Sequence, residues 1–131
     1  MILNNYNDPG HGWLKVKISL LRKLEIADKI TNYSYMRNNY AYLEEDQDVS
    51  LFIATMEKNN IPYSIKGFNT NNRSKIRSYS RYEFLTIEQE TYYNNKKDVL
   101  KGIFNSKKSI SMINKADRYD LDFWLRKYNL T

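Results

Sequence analysis

Two groups of residues in this chain have types suited to chemistry. The only histidine, His11, lies between two glycines in Asp8-Pro9-Gly10-His11-Gly12-Trp13-Leu14. Imidazole can move protons near neutral pH, and flanking glycines would let a substrate approach the backbone. Asp8, Glu44 and Glu45 are the carboxylates that could orient it. The last two belong to Glu44-Glu45-Asp46-Gln47-Asp48, where four of five residues are acidic. Such a cluster suits Mg²⁺ or an acid/base pair. It suits better a helix start, with Asp46 or Asp48 as cap and the neighbouring acids near the positive end of the helix. The second group is Arg73-Ser74-Lys75-Ile76-Arg77-Ser78-Tyr79-Ser80-Arg81-Tyr82, which holds four cations, two rings and no acid. Cations neutralise phosphates and rings stack on exposed bases, so this mixture suits single-stranded or irregular nucleic acid, or an acidic protein surface. A charged edge strand would show the same composition. Lys96, Lys97 and Lys101 would extend the basic surface.

Catalysis has only His11 to stand on. No spacing fixes a second catalytic residue, and no phosphate-cradling or nucleophile-elbow motif occurs. A structural reading of residues 8–14 is simpler. Pro9 and Gly10 make a turn, His11 bonds the backbone, and Trp13 seats beside the acidic segment near Glu44. The expectation is therefore no catalytic residue, with His11, Asp8, Glu44 and Glu45 as the alternative. Neither a metal nor a cofactor is expected. Without cysteine there are no disulfides or thiolate metal sites, and a single histidine excludes zinc sites built on several.

The elements that must position these residues can be read from period and punctuation. The chain has 131 residues, 41% hydrophobic, enough for a core. Residues 13–19 alternate, with Leu14, Val16 and Ile18 on one face and Trp13, Lys15 and Lys17 on the other, as a half-buried strand requires. Residues 19–26 predict a short helix capped by Ser19. Residues 30–36 and 40–43 predict a hairpin turning at Arg37-Asn38-Asn39. Val49, Phe52, Ile53 and Met56 recur at helical spacing, ending near Asn59-Asn60, and residues 63–68 can return as a strand after Pro62. The predicted fold is α+β: a small, mainly antiparallel sheet with two helices, in the order β-α-β-β-α-β, over residues 1–82. Residues 83–131 predict a helical extension. Thr86 begins it with capping-box spacing to Gln89, and Leu121, Trp124, Leu125 and Tyr128 line a last helix capped by Asp117 or Asp120.

The net charge of +6 is unevenly placed. Residues 1–72 hold eight basic and eight acidic side chains, whereas residues 73–131 hold thirteen and seven. That asymmetry points to a polyanionic partner for the second half. Twelve tyrosines supply apolar surface with polar tips, suited to half-buried sheets and contact surfaces. No apolar run approaches the roughly 20 residues of a membrane span, and residues 1–7 lack the features of a signal peptide. The expected location is the cytoplasm.

Asp8-Pro9-Gly10-His11-Gly12-Trp13-Leu14, then Tyr33-Ser34-Tyr35, then Tyr42-Leu43-Glu44-Glu45-Asp46, resemble a family of small phage and plasmid proteins. Arg73-Ser74-Lys75-Ile76-Arg77-Ser78-Tyr79 is similar to the end of the same pattern, which spans residues 8–82. Gln47 stands where that family often carries cysteine. The resemblance implies a mobile-element setting and no agreed activity. In that setting the expected function is a non-enzymatic counter-defence inhibitor of anti-CRISPR or anti-restriction type. Its expected partner is a host nucleic-acid-processing protein or its nucleic-acid complex, bound through Arg73, Lys75, Arg77, Tyr79, Arg81 and Tyr82. The alternatives are a direct nucleic-acid-binding regulator and a small hydrolase or nuclease-like enzyme.

Overall fold

The computed structural model describes residues 1–131 and has the predicted α+β class. The chain divides into two units, Met1–Phe84 and Leu85–Thr131. The first holds a six-stranded sheet of β1 (Ile2–Asn7), β2 (Gly12–Lys17), β3 (Tyr35–Arg37), β4 (Tyr40–Glu44), β5 (Ser64–Asn69) and β6 (Ser80–Arg81). Its spatial order is β5-β1-β2-β4-β3-β6. All neighbours are antiparallel except β1 and β5, which run parallel.

The alternation in β2 decides which way the sheet faces. Leu14 and Val16 point inward with Ala41 and Leu43 of β4, and meet α1 (Ile18–Lys23) and α2 (Val49–Lys58). Phe52 and Met56 of α2 are fully buried there. Each such side chain contributes roughly 1.5–3 kcal/mol. Trp13, Lys15 and Lys17 face the other way.

The departures from the predicted elements have physical causes. Ser19 does not cap α1, which starts one residue earlier from Lys17 without a side-chain cap. Glu25 takes a left-handed backbone (φ 60°) after that helix, and the Ile26 N–H donates to the Leu21 carbonyl. This closes the helix at Lys23, three residues short of the predicted end. Of residues 30–36 only the last two join β3, because Thr31 and Ser34 turn inward to the Asp48 carboxylate. The hairpin turns at Asn38-Asn39, with Asn38 left-handed at φ 56°. Strand β1 was not predicted: its asparagines disfavour strands, and its pairing to β2 and β5 supplies what propensity does not.

The second unit is three helices, α3 (Ile87–Ile103), α4 (Lys107–Lys115) and α5 (Arg118–Lys127). Thr86 and Gln89 form the predicted capping box, and Asp117 with Asp120 forms another. Helix α3 runs unbroken through residues 92–95, and Lys107 and Lys108 open α4 behind the Ser106 cap. Leu100, Ile113, Leu121 and Leu125 are the core, with Trp124 partly buried against it. No helix of the chain is long and apolar enough to cross a membrane.

Candidate functional site

Residues 8–11 connect β1 to β2, and their shape comes from one carboxylate. Asp8 Oδ1 accepts the Gly10 and His11 N–H groups, both at 3.0 Å, and the Asp8 N–H donates to the His11 carbonyl at 2.9 Å. The same carboxylate accepts Arg77 twice, Nε to Oδ2 at 2.7 Å and Nη2 to Oδ1 at 2.9 Å, and the Ser74 N–H at 3.0 Å. Arg77, ahead of the backbone donors, holds the Asp8 carboxyl well below the usual carboxylate range. Asp8 therefore orients the His11 backbone and not its imidazole, contrary to the catalytic alternative.

Neither Gly10 nor Gly12 has a positive φ, so neither is needed for turn conformation. They are needed for room. A Cβ on Gly10 would stand 2.8 Å from Arg77 Nη2, and one on Gly12 would stand 2.3 Å from Asn7 Oδ1 and 2.7 Å from Glu45 Oε2. Each absent side chain lets a distant charged group close on this loop.

His11 does not bond the backbone through its ring. Its Nδ1 lies 3.2 Å from Glu44 Oε1 and 4.0 Å from Asp46 Oδ2. The cross-strand pair Trp13 and Glu44 in β2–β4 places these groups together, and the Glu45 N–H donates to the Gly12 carbonyl at 3.1 Å. One ligand-type atom from each of His11, Glu44, Glu45 and Asp46 lies within 4.8 Å of every other. Glu44 is buried; His11, Glu45 and Asp46 are exposed. The fourth acid is elsewhere. Asp48 occupies the N-cap position of α2 without a side-chain cap bond. Its carboxylate instead accepts the Thr31 N–H at 3.0 Å, the Thr31 hydroxyl at 2.9 Å and the Ser34 hydroxyl. The acidic run thus does two jobs: Asp48 ties residues 31–34 to the helix start, and the other three acids gather at His11.

The basic–aromatic segment, predicted as the binding site, packs over the part of the outer face formed by Trp13, Tyr35 and Tyr42. It is a 3₁₀ turn at Lys75–Ser78 followed by β6, and Ile76 packs with Trp13, Tyr35 and Tyr42. Arg77 stacks 5.1 Å from the Trp13 ring while paired to Asp8, so it is not a free cation. Tyr82 is core: it is buried and its hydroxyl donates to the Ala27 carbonyl, with burial pushing its phenol up to about 12. Tyr79 packs edge-on against Tyr42 with Arg37 over its ring, and Arg81 covers Tyr35. Arg73, Lys75 and Arg81 remain exposed. In the second unit, Lys96 donates to the Leu130 carbonyl, Lys97 to the Asn114 carbonyl and Lys101 to the Asn114 side chain. These lysines tie α3 to the carboxyl ends of α4 and α5, where a cation is favoured. Burial, then Lys101, pulls the Lys97 amine below its usual value.

The outer face also holds lysines beside aromatic rings outside the basic–aromatic segment. Lys15 lies 4.2 Å from the Tyr40 ring, and Lys66 lies 5.3 Å from Phe68, which stacks on Tyr6. At one end of β1 and β2 is an open cleft of about 500 Å³ that combines Lys15, Lys17 and Lys23 with apolar Leu3, Val16 and Leu20, and has no carboxylate in its lining. Alternation in β2 was the available signal, since it put Lys15 and Lys17 on the face opposite the core. No protein-family profile, curated protein or solved structure matches this chain.

Proposed function

We propose that this chain is a non-enzymatic accessory protein of a mobile element, a counter-defence inhibitor that acts on nucleic acid held by a host enzyme. The contact surface is the outer face of the sheet with the adjoining cleft that carries Lys15, Lys17 and Lys23. One observation carries the reading: five cations (Lys15, Arg37, Lys66, Arg77 and Arg81) each lie within 5.3 Å of an aromatic ring centroid on that one face. Arg77 and Arg81 partly shield the central rings. Tyr6, Tyr40 and Phe68 keep exposed surface beside Lys15, Lys17 and Lys66, as stacking on bases with phosphate contact demands. The mobile-element setting comes from the resemblance of residues 8–82 and narrows the target by association alone.

The test is single-strand binding followed by fluorescence anisotropy across a salt series. Affinity should fall steeply with salt, and Lys15→Ala/Lys17→Ala should flatten the logarithmic slope by roughly two. Arg73→Ala/Lys75→Ala should flatten it less, because those side chains lie outside the cleft. Salt-independent binding, or no binding, would remove nucleic acid as the direct ligand. The same labelled strands address the hydrolase alternative, which the 3.2 Å His11–Glu44 approach favours. Cleavage lost in His11→Ala would support it, and intact strands would sink it.

A further inference from the structure

The His11 corner carries more unbalanced charge than a structural loop needs. Three carboxylates and one imidazole converge within 4.8 Å, and no lysine or arginine pairs with Glu44, Glu45 or Asp46. Like charges so close oppose one another unless a cation stands between them. The decisive atom is Glu44 Oε1. The Glu44 side chain is only 9% exposed, its Oε2 accepts the Asp46 N–H at 2.8 Å, and its Oε1 accepts no hydrogen bond. His11 Nδ1 is near, at 3.2 Å, but outside hydrogen-bond geometry. A buried, unpartnered carboxylate oxygen is costly, and this one is aimed into the cluster.

We infer that His11, Glu44, Glu45 and Asp46 form a binding site for one divalent cation of the Mn²⁺ or Zn²⁺ class. Donors around a six-coordinate ion at about 2.1 Å stand roughly 3 Å apart when adjacent and about 4 Å when opposite. Four donors within 4.8 Å need only small side-chain adjustments to reach that geometry. The ligand chemistry selects the ion. Carboxylate oxygens suit Mg²⁺, Ca²⁺ or Mn²⁺, and an imidazole nitrogen among them shifts preference towards Zn²⁺ or Fe²⁺ and away from Mg²⁺ and Ca²⁺. Preorganisation comes from both sides. The β2–β4 register fixes Glu44, Asp8 fixes the His11 backbone, and the missing Gly12 side chain admits Glu45. Exposure of the other three ligands leaves solvent access for further donors such as water or phosphate oxygen.

This site stands independently of nucleic-acid binding, and the experiment uses the full chain with metal alone. Titration of Mn²⁺ and Zn²⁺ by calorimetry, with Mn²⁺ electron paramagnetic resonance, should give one saturable site per chain. An excess of Mg²⁺ or Ca²⁺ should displace the ion poorly. His11→Ala should weaken affinity at least about tenfold, and Glu44→Gln should remove the site. Asp46→Asn, on an exposed side chain, provides a variant whose folding is not in question and should also weaken binding. Failure of either ion to bind, or affinity unchanged in all three variants with circular dichroism intact, would overturn the inference.

Discussion

Asp8 and Glu44 are both carboxylates with little exposed surface, 1% and 9% of their side chains, and both are linked to Trp13. Arg77 bridges Asp8 to the Trp13 ring, and Glu44 is the cross-strand partner of Trp13. They differ in satisfaction. Asp8 accepts five hydrogen bonds, two from one guanidinium in the paired geometry that makes arginine–carboxylate contacts strong. Glu44 accepts one bond on Oε2 and none on Oε1. A carboxylate whose lone pairs are all used holds the fold together. One with an oxygen left over, among other acids, is built to receive something. Asp48 sides with Asp8: buried, fully engaged and structural.

The comparison breaks first on stability. Arg77→Ala strips Asp8 of its charged partner and leaves a shielded carboxylate facing backbone donors, so thermal denaturation should show a fall in Tm of about 5 °C or more. Arg77→Lys should recover only part of it, because lysine cannot form two parallel bonds. Glu44→Gln should leave Tm nearly unchanged or raise it, since it relieves repulsion among three acids. If Glu44→Gln destabilises as much as Arg77→Ala, then Glu44 is structural and the contrast fails.

Acid titration gives the next largest effect. The Asp8 carboxyl is held low in the folded state, first by Arg77, whereas the unfolded chain protonates it near pH 4, as for an ordinary aspartate. The unfolded state therefore binds the extra proton below about pH 4, and stability falls with pH there. Asp8 contributes fully above that value, and its contribution is lost as pH drops towards the folded-state value. The Tm gap between the native chain and Asp8→Asn should be widest at about pH 6–7 and narrow towards about pH 2–3. A constant gap would mean that Asp8 acts through shape rather than charge. The smallest effect is expected from Gly12→Ala. Its Cβ meets the movable ends of Asn7 and Glu45, so Tm should shift by no more than about 2 °C. Mn²⁺ affinity should weaken about tenfold as Glu45 is displaced.

Much of the fold was legible in sequence because its signals are local. The alternation of Trp13 to Ile18 announced β2 and which face Lys15 and Lys17 occupy. The spacing of Val49, Phe52, Ile53 and Met56 announced α2, and Thr86 with Gln89 announced the start of α3. Asn60 and Asn129 mark helix ends because asparagine tolerates the left-handed backbone found at both. The site was legible only as a list. His11, Glu44 and Glu45 stand out by type, but nothing local shows that Asp8 pairs with Arg77 rather than orienting the imidazole, or that Tyr82 lies in the core.

What the sequence determined by itself is what depends on period and on the conformational preferences of single residues: the α+β class, the long helices, and the exclusion of thiolate chemistry. The tertiary structure decided every role that depends on a partner far along the chain. Asp8 meets Arg77 across 69 residues, and His11 meets Glu44 through the register of β2 against β4. A carboxylate has the same letter whether an arginine saturates it or an oxygen is left open. Only the distances between chain segments, fixed by sheet pairing, distinguish the residue that holds the structure from the one that can hold an ion.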